Sequence, residues 1–153
     1  MFSTVRTRIL VPLVLAGIAA PLLAAPVDAV RTRMAGYRDL GAQFKALNDG
    51  LRASSPQPAA LRTPAAKIRD AATRQYHWFP AGSGPRAGVK TAAKPEIWTQ
   101  GARFRELQNT FATRATALER AVAGGNLATM RSATRSLGAT CKGCHDQFRS
   151  DEK

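Results

Sequence analysis

Both cysteines of the chain and one of its two histidines fall within the pentapeptide CKGCH, residues 141–145. On a helix, residues three and four apart share a face, so Cys141, Cys144 and His145 can point the same way. Each thiol can add to a vinyl group of haem, and the imidazole can bind its iron from one axial side. Because C-x-x-C-H is the attachment pattern of c-type haem, the motif predicts one covalent haem with His145 as an axial iron ligand.

Three other uses of the two thiols explain less of the motif. A redox pair of the thioredoxin kind is expected at the start of a helix that follows a strand, whereas this pair comes late in a helical segment. A zinc site needs three or four ligands, and the other histidine, His77, is far away in sequence. A disulfide across three residues of a regular helix does not easily meet the required geometry and gives His145 no role.

The N-terminal residues predict export. Arg6 and Arg8 precede an apolar stretch, residues 9–25, that ends in small residues, and this is the layout of a secretory signal peptide. The stretch is too short to span a bilayer comfortably. We predict that residues 1–25 are removed, with cleavage between residues 24 and 29; the alternative is an uncleaved N-terminal anchor. The mature protein is then expected to be soluble and periplasmic.

The remaining residues, 26–153, have the length of one domain and show helical patterning throughout. Apolar residues recur at helical spacing in four segments, at about 27–49, 64–79, 95–123 and 126–150. Four helices with one apolar stripe each predict an all-α, up-down-up-down four-helix bundle. The motif shares the apolar face of the last segment, so its thiols and imidazole are expected to point into the bundle.

Turn and cap residues give the expected boundaries of these helices. We expect Asn48-Asp49-Gly50 to end the first helix and Pro80 to end the second. The tight turn at Gly124-Gly125 makes the last two helices antiparallel neighbours, with Asn126 as the N-cap of the last one. The first stripe includes Met34.

The charge of the chain points to acidic partners instead of nucleic acid. The formal net charge is +13, but no run of five like charges and no alternation of basic with aromatic residues occurs. Such scattered charge suits solubility, steering toward an acidic redox partner, or loose contact with an anionic membrane surface. No pair of a general acid and a general base is placed around a pocket, so no enzymatic activity is expected.

Three stretches of the chain are similar to the cytochrome c′ family, the class II c-type cytochromes that carry haem near the C-terminus of a four-helix bundle. The stretches are DAVRTR (28–33), AKPEIW (93–98) and GNLATMRSATRSLGATCKGCHDQFR (125–149). The resemblance extends over the whole of the expected mature chain. It implies a four-helix bundle with one haem c, and often a homodimer formed through the first two helices.

By this resemblance, Cys141 and Cys144 carry the haem and His145 is its proximal ligand. Arg149 is expected beside His145, one helical turn on. Arg33 of the first helix is expected to reach a haem propionate at the edge of the ring.

The resemblance also implies that the sixth coordination position is open and covered by the side chain four residues after Arg33, which is Tyr37. Such a five-coordinate, high-spin haem is expected to bind nitric oxide and carbon monoxide, and it can carry electrons. Met34 is expected to pack against the haem edge or a neighbouring helix. The alternative is a low-spin, six-coordinate cytochrome that acts only in electron transfer, with Met34 on the iron. We expect His77 at the surface and Met130 in the core.

Overall fold

The computed structural model describes residues 24–151 as five helices in chain order: α1 (Ala24–Arg52), α2 (Arg62–Arg74), α3 (Glu96–Thr99), α4 (Gly101–Ala123) and α5 (Leu127–Phe148). α3 is a single turn, so four of the five helices are long. The predicted up-down-up-down four-helix bundle is confirmed. Residues 1–23, most of the predicted signal peptide, lie outside the described range. Among residues 24–151, no helix is both long and apolar enough to cross a membrane.

The predicted end of the first helix is wrong, because α1 continues through Asn48-Asp49-Gly50 and stops at Arg52. The extra turn carries Leu51 into the core, where its side chain is 4% exposed. Gly50 permits this packing, since the side chain of Leu61 occupies the space that a Cβ would need. Burial of an apolar side chain therefore outweighs the low helix propensity of the Asn-Asp-Gly sequence.

The end of the second helix also differs from the prediction. α2 stops at Arg74, and a 3₁₀ turn follows it. Gln75 in this turn is buried, and its Nε2 donates to the carbonyls of Ala72 and Gln108 at 3.2 and 3.3 Å. Gln108 of α4 donates back to the Gln75 carbonyl at 3.1 Å. These bonds satisfy buried polar groups and fix the end of α2 against α4.

The predicted third helix is interrupted at Gln100, whose φ of −116° and ψ of 42° lie outside the helical region. The segment therefore forms the separate helices α3 and α4. The interruption lets Ile97 of α3 and Phe104 of α4 pack together with Phe148 at the end of α5. A second small apolar cluster is built in this way.

The start of α5 agrees with the sequence. Asn126 caps it, with its side-chain oxygen accepting a hydrogen bond from the Thr129 N–H at 2.9 Å. Gly125 supplies the positive φ of 77° that the tight turn after α4 requires. Met130 is fully buried, as predicted.

The core consists of two apolar clusters, and the CKGCH motif lies where they meet. Cys141 packs against the larger cluster, and Cys144 packs against the smaller one formed by Ile97, Phe104 and Phe148. The larger cluster runs through all four long helices and includes Leu47, Ile68, Leu118, Met130 and Leu137.

Gly36 of α1 should be sensitive to substitution, because the indole of Trp78 occupies the space of its missing Cβ. We expect Gly36→Ala to lower the free energy of unfolding by about 1–3 kcal/mol through overpacking, as measured by urea titration. Gly101→Ala is the matched control, since a Cβ there meets no neighbour, and it should change the stability by less than about 1 kcal/mol. A Gly36→Ala protein as stable as the wild type would contradict this packing.

Candidate functional site

A cavity of about 630 Å³ separates α1 from α5 around the motif. This volume lies in the usual range of sites for small molecules and cofactors. Of the described residues that line it, none is Asp or Glu, whereas Arg33, Arg38 and Arg149 carry positive charge there. All the site residues predicted from the sequence belong to its wall, namely Arg33, Met34, Tyr37, Cys141, Cys144, His145 and Arg149.

The α5 wall carries the motif. Both cysteines are free thiols and partly buried, and the Cys141 Sγ–H donates to the Leu137 carbonyl at 3.6 Å. Burial raises the pKa of Cys141, and burial together with the neighbouring Cys141 thiol raises the pKa of Cys144 to about 11. The thiols are therefore protonated at neutral pH, unlike the low-pKa thiol of a thioredoxin-type redox pair.

His145 lies at the rim of the cavity and is exposed, so its imidazole is not buried in the bundle as the apolar stripe of the last segment predicted. Packing against the protein lowers its pKa, the nearby Arg149 lowers it further, and Asp146 opposes both effects. Its imidazole is therefore neutral at pH 7, the form that binds metal ions. Within residues 24–151, no group of three or more His, Cys, Asp or Glu side chains is placed to hold a metal ion.

Arg33 on α1 is a buried cation, with only 2% of its surface exposed. Its Nη1 donates to Ser83 Oγ at 3.0 Å and its Nη2 to Thr91 Oγ1 at 2.9 Å. The guanidinium also lies 5.1 Å from the ring centre of Phe79 and 5.8 Å from that of Trp98. No ion pair in the described part of the chain involves it, so its remaining N–H donors can bind an acidic group in the cavity.

Tyr37 stands four residues after Arg33 on the same wall. Its ring makes an edge-to-face contact with Trp78, with 4.9 Å between ring centres, and a tilted contact with Phe79 at 6.1 Å. Burial is the main reason that the pKa of Tyr37 is raised, with a smaller contribution from Cys144. The side chain is therefore a neutral phenol throughout the physiological pH range.

Met34 does not occupy the apolar stripe that the sequence predicted. Its side chain is 41% exposed at the rim of the cavity. The inward positions of α1 are Val30, Arg33 and Tyr37, and Met34 lies one residue beyond this register. The buried guanidinium of Arg33 thus takes the inward position at this turn.

The segment between residues 80 and 95 covers one end of the cavity. Ser150 N–H donates to the Ala92 carbonyl at 2.8 Å, and Lys94 N–H donates to the Phe148 carbonyl at 3.0 Å. α5 ends at Phe148, and the backbone of Arg149 is extended, with φ −117° and ψ 132°. Because it pairs with Ala93 in an isolated bridge, its side chain reaches the cavity from an extended backbone.

Several contributors to the site had no clear indication in the sequence. Ser83 and Thr91 bind Arg33 from 50 and 58 positions further along the chain, and no local pattern marks such a contact. Arg38 lines the cavity, and its only indication was its place next to Tyr37. His77 is exposed and lies outside the cavity wall, as expected.

The residues of the cavity fit a haem. Two thiols and a neutral imidazole lie together on one wall, which suits two thioether bonds and an iron ligand. The buried Arg33 lacks a carboxylate partner and would suit a haem propionate. Phe79 and Phe104, in edge-to-face contact with ring centres 4.8 Å apart, supply apolar surface against which a porphyrin could pack.

Comparison with known proteins gives the same assignment. Residues 28–149 match the model of the family described as Cytochrome C′. A cytochrome c′ from Pararhodospirillum photometricum is 33% identical over 128 residues, which cover 82% of this chain and 99% of the relative.

Solved structures of the same family share the fold. The cytochrome c′ of Thermochromatium tepidum aligns with a TM-score of 0.77 at 28% identity, over 82% of this chain and 97% of the other. A variant of cytochrome c′ from Alcaligenes xylosoxidans, solved as its nitric oxide complex, aligns with a TM-score of 0.74 at 26% identity over 82% and 97%. Another variant of that protein carries bound carbon monoxide. With the family match over most of the chain, these findings show that this protein belongs to the cytochrome c′ family.

Proposed function

We propose that this chain is an exported cytochrome that holds one haem c through Cys141 and Cys144, with His145 on the iron and the opposite axial position open. When bound, the haem supplies the iron that takes up nitric oxide or carbon monoxide. The observation that carries the proposal is the division of the cavity between two helices. The thiols and imidazole lie on α5, whereas α1 offers Tyr37, and a neutral phenol is a poor iron ligand.

The other residues of the cavity bind and shield the cofactor. Arg33 is held by Ser83 and Thr91 and would neutralise a propionate through charge-assisted hydrogen bonds. Tyr37 and the neighbouring aromatic rings would keep water and larger ligands from the open position. Small apolar gases can pass such a wall. The nitric oxide and carbon monoxide complexes of the similar Alcaligenes protein support this assignment.

Electron transfer is a second candidate function, favoured by the charge around the cavity. Arg38 and Arg149 are exposed at its wall, and none of the described lining positions is acidic. An acidic redox partner would therefore be attracted to the edge of the haem. We propose binding and electron transfer, and no enzymatic reaction, as the role of the chain. The homodimer through the first two helices stays a prediction.

The low-spin alternative would require Met34 to reach the iron. Met34 lies at the rim, 41% exposed, while Tyr37 takes the inward position one turn later. Its sulfur would have to replace a packed aromatic wall in order to bind the iron. The open position is therefore the better supported arrangement.

Covalent attachment can be tested by extraction with acidified acetone. The wild-type protein should keep its pigment, because thioether bonds survive acid, and the double variant Cys141→Ala, Cys144→Ala should release it. Thr140→Ala is the matched control, since Thr140 lines the same cavity and has no thiol. Free extraction of pigment from the wild-type protein would contradict the thioether assignment.

The axial ligands can be tested by absorption spectroscopy of the ferrous protein. We expect a high-spin spectrum that Met34→Leu leaves nearly unchanged, because the Met34 sulfur does not bind the iron. His145→Ala should change the spectrum strongly. A low-spin wild-type spectrum that Met34→Leu converts to high-spin would instead identify an electron carrier with six ligands.

Export can be tested by the intact mass of the protein purified from its native host. We expect the loss of about 24 to 29 residues and the gain of one haem, in a periplasmic fraction. Arg6→Glu combined with Arg8→Glu should reduce export, because the positive region of the signal peptide is lost. A full-length, haem-free chain in the cytoplasm would argue against both processing and attachment.

A further inference from the structure

In the part of the chain that the structure describes, the buried guanidinium of Arg33 is held by neutral groups alone. It donates to Ser83 Oγ and Thr91 Oγ1 and faces the rings of Phe79 and Trp98. None of the ion pairs among the described residues includes Arg33, and no described residue that lines the cavity is Asp or Glu. These partners fix the guanidinium without cancelling its positive charge, which therefore acts on whatever the cavity holds.

The Ser83 hydroxyl is a fixed acceptor for this cation. Ser83 is fully buried, and its hydroxyl donates its own proton to the Pro80 carbonyl at 2.8 Å. The same carbonyl accepts the indole N–H of Trp98 at 3.1 Å, and the Trp98 ring faces the guanidinium. Because the proton of the hydroxyl is already used, its lone pairs are left for Arg33.

The Thr91 hydroxyl connects Arg33 to the end of α5. Besides the bond from Arg33, Thr91 Oγ1 accepts the backbone N–H of Ala93 at 3.2 Å. Ala93 pairs with Arg149 in the isolated bridge, and the Arg149 N–H donates to the His145 carbonyl at 3.0 Å. The cation on α1 is thereby positioned relative to the helix that carries the thiols and the imidazole.

We propose that Ser83 and Thr91 are positioning residues that keep the charge of Arg33 beside the cavity, and thereby raise the reduction potential of the haem iron. The inference rests on the proposed function, because it needs a haem in the cavity. Reduction adds one electron, supplied by a redox partner, to the ferric iron, and no bond forms or breaks. The haem thus loses one unit of positive charge. A buried cation nearby favours this change, and it does so more strongly than in water because screening inside the protein is weak.

A propionate bound to Arg33 leaves the direction of this effect unchanged. Its carboxylate would be neutralised while the guanidinium stays in place. Once the guanidinium turned away, the carboxylate would be uncompensated beside the haem ring, and its negative charge would favour the ferric state.

The test is Thr91→Val in the haem-loaded protein, because this change removes the hydroxyl and nearly keeps the shape of the side chain. The equilibrium constant for reduction should fall about 3- to 10-fold as the guanidinium gains access to solvent, which for one electron lowers the potential by about 30 to 60 mV. The measurement is a redox titration followed by absorption spectroscopy. Thr91→Ser keeps the hydroxyl and should retain the wild-type potential. Thr113→Val, at an exposed site of α4 outside the cavity wall, should also leave it unchanged.

A measurement on the wild-type protein keeps the inference testable if the variants do not fold. The guanidinium N–H protons of Arg33 should exchange slowly with solvent, because the bonds to Ser83 and Thr91 hold them in a buried site. Nitrogen-15 NMR of the ferrous carbon monoxide complex, whose low-spin iron does not broaden the signals, measures this exchange.

The outcomes separate this inference from the proposed function. Rapid exchange of the Arg33 protons, or an unchanged potential in Thr91→Val, would overturn the inference while a bound haem left the proposed function standing. A potential that fell equally in Thr91→Val and Thr91→Ser would assign the effect to packing, and would overturn it too. A wild-type protein that holds no haem would remove the proposed function, and this inference with it.

Discussion

The buried cation of Arg33 is the constraint on which the arrangement of the site depends. A guanidinium that is 2% exposed is costly to desolvate unless its donors and its charge are balanced. Two hydroxyls and two aromatic faces balance part of this cost, and they come from residues that follow α2 and from the α3 turn. Arg33 thereby joins α1 to the segment that covers the end of the cavity. The part of its charge that remains unpaired suits a ligand that brings a carboxylate.

The cavity imposes a second constraint, since apolar walls without contents lose both packing and hydrophobic stabilisation. α1 and α5 approach each other where Arg131 Nη2 donates to the Leu51 carbonyl at 3.1 Å, and they diverge toward Arg33 and His145. A cofactor that fills the gap would restore the contacts that the diverging helices lack. Binding of a cofactor and stability of the bundle would therefore be coupled, and the proposed covalent attachment would make that coupling permanent.

The sequence predicted those features that depend on nearby residues. CKGCH gave the thiols and the imidazole because their spacing alone brings them to one helical face, and Asn126 marked the start of α5 through a local cap. The four stripes gave the bundle. The four-residue spacing of Arg33 and Tyr37 is also local, and both residues line the cavity from the same helix.

Features that depend on distant contacts could not be predicted. Gly50 looks like a helix end, but Leu61 makes it a packing position. The helical spacing of Met34 predicts a core position. In the structure Arg33 takes the inward position at this turn of α1, so Met34 is left at the rim. Arg149 appears to continue α5, whereas its backbone pairs with Ala93. In each case the competing interaction comes from another part of the chain, and its effect exceeds the local preference.

The two walls of the site are thus specified in different ways, with a consequence for how function can vary. The functional groups of the α5 wall come from five consecutive residues, and the proposed attachment of the cofactor would depend on Cys141 and Cys144 among them. The α1 wall depends on Tyr37, on the indole of Trp78 that positions it, and on Gly36, which admits the indole. Substitutions among these three residues can alter the size and polarity of the gas-facing wall without disturbing the thiols or the imidazole. Ligand preference can therefore change in this fold while haem attachment stays the same.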